Sequence, residues 1–152
     1  MRTSSGIRDF IESLKQNGEL LTLSIPLSPK FEISTVISEL GKKEAPALLF
    51  EKVKGYSFPV VGNLLGTKKR LSMALGVNQE NFFKNALTRL DKRIPPVLVE
   101  DRTPKIIVTK KEKIDLLKLL PILTHYAGDS GPYITSGITS ARDPKDGNIG
   151  RG

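Results

Sequence analysis

Residues 120–152 read LPILTHYAGDSGPYITSGITSARDPKDGNIGRG, and this stretch decides how the chain is divided. From Thr124 onward it holds six glycines and two prolines, and no amphipathic helix fits it. The Ile- and Thr-rich run 133–141 predicts a strand, 143–147 predicts a turn, and 148–150 predicts the start of a returning strand. Because a two-stranded hairpin is not independently stable, we expect this segment to begin a β-domain whose remainder lies elsewhere.

Upstream of this stretch, helical and strand patterns alternate. Two helices are predicted by apolar residues at helical spacing: Ile7, Phe10, Ile11 and Leu14 in the first, and Ile33, Val36, Ile37 and Leu40 in the second. Ser4 or Ser5 would cap the first helix, and Asn17-Gly18 would end it. Between them, Leu21, Leu23 and Ile25 alternate with polar residues and predict a half-buried strand.

The middle of the chain continues the same alternation. Apolar runs predict strands at 47–50 and 58–61, and further strands at 97–99 and 106–108 follow the break at Pro95-Pro96. Two more helices are predicted, the first through Leu71, Ala74 and Leu75 and the second through Phe83, Ala86, Leu87 and Leu90. The order predicts an α/β (α+β) domain with one core over residues 1–120, followed by the incomplete β-segment 121–152.

Composition excludes several classes of protein. The 152 residues contain no cysteine, which excludes a disulfide scaffold, a thiolate metal site and a cysteine nucleophile. The net charge of +8 would suit a phosphorylated ligand, whereas nucleic acid is not expected, because a basic stripe and aromatic stacking positions are lacking. No apolar run predicts membrane insertion, and no signal peptide is evident, so we expect a cytoplasmic location.

Residue patterns alone do not identify a catalytic site. The loop 62–68 is similar to a phosphate loop, but its glycines are too close and Thr67 separates Gly66 from Lys68, so we expect a plain turn. His125, the single histidine, is expected to be structural and hydrogen-bonded to backbone. Asp143 before Pro144 and Asn148 are expected to be turn residues.

Longer motifs carry a more specific signal. The run 120–138, with Ala141-Arg142-Asp143-Pro144 and Gly147-Asn148-Ile149-Gly150 after it, resembles the signature of the UbiD family of decarboxylases dependent on prenylated flavin mononucleotide (prFMN). The stretches PALLFEKVKG at 46–55 and FPVVGNLLG at 58–66 resemble the family's first domain. The resemblance extends in order over essentially the whole chain. It implies an N-terminal α/β domain followed by the first hairpin of a split β-barrel that binds the flavin.

The resemblance also implies a site. Asn148 matches the family's metal-ligating asparagine, and the implied metal is Mn²⁺, with K⁺ left open. Ile149 and Gly150 match positions whose backbone lies against the cofactor. Arg151 departs from the family's usual non-basic residue and is a candidate partner of the flavin phosphate. The family's catalytic residues would lie beyond Gly152, so we expect none within this chain and no activity from it alone.

For the intact protein, the resemblance implies a carboxy-lyase acting on an unsaturated or aromatic carboxylic acid. The implied pathway is isoprenoid or quinone biosynthesis, and an archaeal anhydromevalonate phosphate decarboxylase is one member to consider. The implied partners are further copies of the full-length protein and the flavin prenyltransferase that supplies prFMN. The alternative is a split or accessory subunit that completes a barrel in trans without catalysis of its own, because an unpaired hairpin edge seeks a partner.

Overall fold

The computed structural model of the chain describes residues 6–91 and 114–151. Its helices and strands, in chain order, are α1 (Ile7–Gln16), β1 (Leu20–Leu23), α2 (Glu32–Gly41), β2 (Ala47–Phe50), β3 (Val60–Gly62), α3 (Lys68–Leu75), α4 (Phe82–Asp91), α5 (Leu116–Leu119), β4 (Ser140–Arg142) and β5 (Ile149–Arg151). A short 3-10 helix, Gln79–Asn81, precedes α4. The expected mixture of helices and strands is confirmed.

The larger sheet has the order β1-β2-β3, so β2 lies in its centre. β1 pairs with β2 in parallel, with Leu20 opposite Ala47, and α2 forms the crossover between the two strands. β2 pairs with β3 antiparallel, with Leu48 opposite Gly62. The four consecutive apolar residues of β2 are the pattern of a strand covered on both faces, and three of the four are buried.

Helices cover both faces of this sheet. Leu48 and Phe50 of β2 pack with Ile33 of α2 on one face. Ala47, which points to the other face, packs with Phe10 and Leu14 of α1. The sequence predicted one core, but the described residues form two clusters because the sheet separates them.

Local signals at the helix ends explain where the helices stop and start. Gly18 and Gly76 follow α1 and α3 with φ of 69° and 64°, a conformation that favours glycine. Thr67 caps α3, since its side chain accepts a hydrogen bond from the backbone N–H of Arg70. The first helix is capped by Gly6; the predicted caps Ser4 and Ser5 lie outside the described residues, as do the predicted strands 97–99 and 106–108.

Four predicted patterns differ from the structure. In β1, which is an edge strand, Leu20 and Leu23 are the half-buried positions, while Leu21 is 42% exposed. Ile25 is exposed and lies outside the strand. The helix α4 is confirmed, but its predicted core residues Phe83 and Leu87 are exposed among the described residues.

The third difference concerns residues 133–141. Only Ser140–Arg142 forms a strand there, since residues 133–139 have no ladder partner within the described part of the chain. The strand β3 also begins two residues later than predicted, at Val60. Within 6–91 and 114–151, no helix has both the length and the apolar character needed to cross a bilayer.

Candidate functional site

The C-terminal hairpin is built from β4, β5 and the turn between them. The two strands pair antiparallel, with Ala141 opposite Gly150. The turn closes through backbone hydrogen bonds from Asp143 N to Asn148 O at 2.8 Å and from Gly147 N to Asp143 O at 3.0 Å. Gly147 has a φ of 74°, which favours glycine. The predicted turn at 143–147 and the returning strand are therefore confirmed.

Asn148 lies at the end of this turn, directly before β5. Its backbone N–H donates to Asp146 Oδ1 at 2.8 Å, and its side-chain Nδ2 donates to Asp146 Oδ2 at 2.7 Å. These two bonds fix which end of the side-chain amide faces Asp146. The carbonyl oxygen Oδ1 accepts no hydrogen bond from the residues that the structure describes, and the side chain is exposed. The side chain thus presents an oriented and available oxygen.

An amide oxygen of this kind fits a hard divalent cation as one ligand among several. Within the described ranges, however, no three His, Cys, Asp or Glu residues come together as a metal-binding group. Asn148 therefore fits the role of a single metal ligand, and the described residues do not form a complete coordination sphere.

The next three residues form the strand β5. Ile149 is 49% exposed, and a side chain placed on Gly150 would meet no other atom within 4 Å. The strand thus presents an apolar side chain beside open backbone, which fits the face of a planar ring. Arg151 pairs with Ser140 in the ladder, and the structure describes its backbone only. Asn148, Ile149, Gly150 and Arg151 are consecutive in sequence. They lie along β5 and the residue before it, at one edge of the two-stranded sheet.

His125 lies in a tight turn upstream of the hairpin. Asp129 Oδ2 accepts hydrogen bonds from the backbone N–H groups of His125 and Tyr126, at 3.1 and 2.8 Å. The imidazole packs against the ring of Tyr133, with 4.8 Å between ring centroids. Its Nδ1 is buried and has no partner among the described residues, so the expected side-chain hydrogen bond to backbone is not found at that atom.

The segment that contains this turn is attached to α2. Thr124 N donates to Pro29 O at 3.1 Å, and Phe31 N donates to Thr124 O at 3.0 Å. The hydroxyl of the buried Ser34 lies 3.0–3.3 Å from the carbonyl oxygens of Phe31, Thr124 and His125. Ser34 belongs to no motif that predicted a site. The feature that could have indicated it is a pair of serines, 34 and 38, which lie four residues apart beside the apolar stripe of α2 and so share one helix face.

On the face of the sheet that α1 covers, an ion pair with a buried arginine connects α3 to the residue before β1. Glu19 Oε2 accepts from Arg70 Nη1 at 3.1 Å, and Glu19 Oε1 contacts Lys69 Nζ at 2.6 Å. The hydrogen bond from Lys69, assisted by Arg70 and opposed by burial, lowers the pKa of Glu19 below its ordinary value of 4.5. The loop 62–67, which sequence spacing assigns to a plain turn, positions this basic helix end.

Two family models match consecutive parts of the chain. The 3-octaprenyl-4-hydroxybenzoate carboxy-lyase N-terminal domain matches residues 11–90. The 3-octaprenyl-4-hydroxybenzoate carboxy-lyase Rift-related domain matches residues 97–151, which include the hairpin.

Several solved structures are also similar to this chain. An evolved dimeric form of the UbiD-class enzyme HmfF from Pelotomaculum thermopropionicum, in complex with prFMN, is 38% identical over 97% of this chain, with a TM-score of 0.86. Vanillic acid decarboxylase of Sedimentibacter hydroxybenzoicus in its open form is 26% identical over 100% of the chain, with a TM-score of 0.86. The apo 3,4-dihydroxybenzoic acid decarboxylase of Enterobacter cloacae, at 23% identity over 96% of the chain and a TM-score of 0.82, shows the fold alone.

These likenesses concern one part of each relative. The chain covers 34% of the HmfF chain, 33% of the vanillic acid decarboxylase chain and 33% of the Enterobacter chain. It therefore spans about a third of the length of the solved structures it matches.

Proposed function

The chain belongs to the UbiD family, and from this premise we propose that it forms the N-terminal part of a non-oxidative decarboxylase. The consecutive matches at 11–90 and 97–151 support the proposal, because a match to the family's N-terminal domain is followed by a match to its Rift-related domain. We propose the division near residue 120, with residues 121–152 contributing the first hairpin of a split β-barrel.

The proposed substrate is an unsaturated or aromatic carboxylic acid. Support comes from the solved relatives, among which are a vanillic acid decarboxylase and HmfF in complex with prFMN or FMN. The prenylated flavin, when bound, supplies an electron sink for the electron pair left behind as carbon dioxide departs. Isoprenoid or quinone biosynthesis is the proposed setting, and archaeal anhydromevalonate phosphate decarboxylation is one reaction within that class.

The chain's own contribution would be to bind and orient the cofactor. Asn148 would present Oδ1 to a divalent cation, Mn²⁺, with a role for K⁺ left open, while Asp146 holds the amide in that orientation. Ile149 and Gly150 would lie against the flavin, and Arg151 would meet its phosphate. The single observation that carries this assignment is the unpartnered Asn148 Oδ1 directly before a strand with an open face.

The proposed catalytic residues lie outside this chain, so the isolated chain should release no carbon dioxide. In the intact protein we propose a cytoplasmic homo-oligomer that receives prFMN from a flavin prenyltransferase. The dimeric HmfF relative is consistent with an oligomer.

The test is metal and flavin binding by the full-length protein, co-expressed with a flavin prenyltransferase. Asn148→Ala should weaken Mn²⁺ binding by at least about tenfold and should lower the flavin content. Electron paramagnetic resonance measures the Mn²⁺ binding. Asn81→Ala is the matched control, because Asn81 is exposed and its side chain makes no hydrogen bond within the described residues. Equal Mn²⁺ affinity in Asn148→Ala and in the unaltered protein would contradict the assignment.

A second candidate function is that of an accessory chain that completes a barrel in trans. The observation that favours it is the two-stranded sheet β4-β5, in which each strand has one edge without a partner among the described residues. Co-purification of a second polypeptide with the chain would support it. A chain that remains alone in cell extract would exclude it.

A further inference from the structure

A cavity of about 730 Å³ lies between α1, α2, β3 and the segment 123–136. Its apolar wall comes from residues distant in sequence: Ile7, Phe10, Ile37, Val61, Leu64 and Leu123. Leu65 and Tyr126, which are exposed, also line it. Cavities of 300–1,000 Å³ are the usual size for small-molecule sites, so this volume is large enough for a ligand with one or two rings.

The walls of this cavity are held in place by contacts that do not involve a ligand. Gly62 of β3 lies so close to α2 that an added side chain would meet Ile37 Cδ1 at 2.5 Å. The segment on the opposite side is attached through the hydrogen bonds of Thr124 to Pro29 and Phe31. The turn around Asp129 fixes His125 and Tyr126. The cavity is therefore preformed and does not depend on a ligand to order its walls.

The polar groups of the lining are hydroxyls, the Asn63 amide and the His125 imidazole, whose Nδ1 is buried without a partner among the described residues. Ser38, Thr135 and Ser136 line the cavity, and their hydroxyls make no hydrogen bond with the residues that the structure describes. Ser34 also lines it, but its hydroxyl is already bonded to backbone carbonyls. No Asp, Glu, Lys or Arg of the described ranges contributes to the lining. An ionised carboxylate or phosphate placed there would meet no lysine or arginine of the described residues to pair with.

We propose that this cavity is a binding site for an uncharged molecule that has an aromatic or bicyclic body and one hydroxyl or carbonyl group. The apolar wall would cover the body of the molecule. The free hydroxyls of Ser38, Thr135 and Ser136 would hydrogen-bond its polar group. The site goes beyond the proposed function, because none of Asn148, Ile149, Gly150 and Arg151 lines the cavity and an acid substrate would be charged.

The test compares two probes of the same shape, 2-naphthalenemethanol and 2-naphthoate. Because the chain contains no tryptophan, naphthalene fluorescence anisotropy reports binding with little protein background. The alcohol should bind with a dissociation constant below about 1 mM. The carboxylate should bind at least about tenfold more weakly, because it would lose part of its hydration in a cavity that no lysine or arginine of the described residues lines. Absence of alcohol binding, or equal binding of both probes, would overturn the proposal.

A pair of variants on α2 locates the binding. Ser38→Phe places a ring inside the cavity without removing a hydrogen bond and should weaken binding of the alcohol at least about tenfold. Thr35→Phe adds the same ring at an exposed position of the same helix that does not line the cavity, and it should leave the affinity unchanged. Circular dichroism checks that both variants remain folded, and Ser136→Phe replaces Ser38→Phe if that variant unfolds. Equal weakening by the cavity variant and by Thr35→Phe would overturn the location.

Discussion

Glu19 Oε2 and Arg70 Nη1 are joined by a hydrogen bond of 3.1 Å across 51 positions of sequence, and this bond ties the start of β1 to the first turn of α3. Arg70 is only 1% exposed, and its Nε and Nη2 have no partner among the described residues. Glu19 is therefore the carboxylate on which the buried guanidinium depends. Lys69 shares the same carboxylate but is half exposed.

Removing the charge of Glu19 should destabilise the chain strongly. Glu19→Gln leaves the Arg70 guanidinium buried without a counter-charge, and we expect a loss of about 3 kcal/mol in the free energy of unfolding, measured by urea titration. Replacing both partners, as Glu19→Gln with Arg70→Met, should cost less than the single change because no charge remains buried. Lys69→Gln, at the exposed partner, should cost no more than about 1 kcal/mol.

The same carboxylate predicts a pH dependence of stability. Because the hydrogen bond from Lys69, with the help of Arg70, lowers the folded-state pKa of Glu19 below 4.5, its stabilisation is fully present above 4.5. It is lost as the pH falls through that lowered pKa. Urea titrations from pH 7 to about pH 3 should therefore show the difference between the unaltered chain and Glu19→Gln closing in acid. A difference that stays constant over this range would contradict the assignment.

The close approach of Gly66 to Asn63 predicts a local steric effect. A side chain at Gly66 would lie 1.8 Å from Asn63 Oδ1, and Asn63 is held by hydrogen bonds from its Nδ2 to Ala45 O and Pro46 O. Gly66→Ala should lower the free energy of unfolding by about 1–3 kcal/mol. Gly41→Ala is the control, since nothing lies within 4 Å of its added methyl group and alanine favours a helix.

A double variant separates this clash from a general effect on the loop. Asn63 has a φ of 55°, which glycine also adopts, so Asn63→Gly removes Oδ1 without opposing the backbone. Gly66→Ala added to Asn63→Gly should then cost much less than Gly66→Ala alone. Additive costs in the double variant would show that the contact with Asn63 is not the cause.

The elements that sequence could predict are those whose signals are local. The strand β2 was predicted with its bounds because a run of four apolar residues is typical of a short strand covered on both faces. The turn before Asn148 was predicted because Asp143 and Gly147 carry its chemistry within five residues. By contrast, Ile134 and Ile138 have strand propensity but no ladder partner in the described ranges, and both are exposed.

The cavity could not be predicted, since its walls combine positions from Ile7 to Ser136 that only the tertiary fold brings together. The same holds for the Glu19–Arg70 pair, whose partners lie in different elements. For the hairpin, family motifs suggested Asn148 as a candidate, whereas the orientation of its amide depends on Asp146, which no motif singled out. The family resemblance therefore supplied the candidate residues, and the contacts that orient them required the structure.

The hydroxyl of Ser34 predicts how firmly the segment 123–136 is attached to α2. Ser34→Ala removes the one hydroxyl proton that lies within reach of the carbonyl oxygens of Phe31, Thr124 and His125, so we expect a loss of about 1 kcal/mol. Because the change is local, hydrogen exchange should accelerate at the Phe31 and Thr124 amides, whose bonds join the segment to α2, and much less at Leu48 in the sheet.

Ser24→Ala is the matched control for this exchange experiment, because its hydroxyl bonds only to the exposed Glu51 side chain at 2.6 Å. It should change neither the exchange rate at Thr124 nor the stability by more than about 0.5 kcal/mol. If Ser34→Ala left exchange at Phe31 and Thr124 as slow as in the unaltered chain, the attachment would rest on the backbone bonds of Thr124 alone. Acceleration confined to those two amides would instead identify Ser34 as the side chain that holds one wall of the cavity against the other.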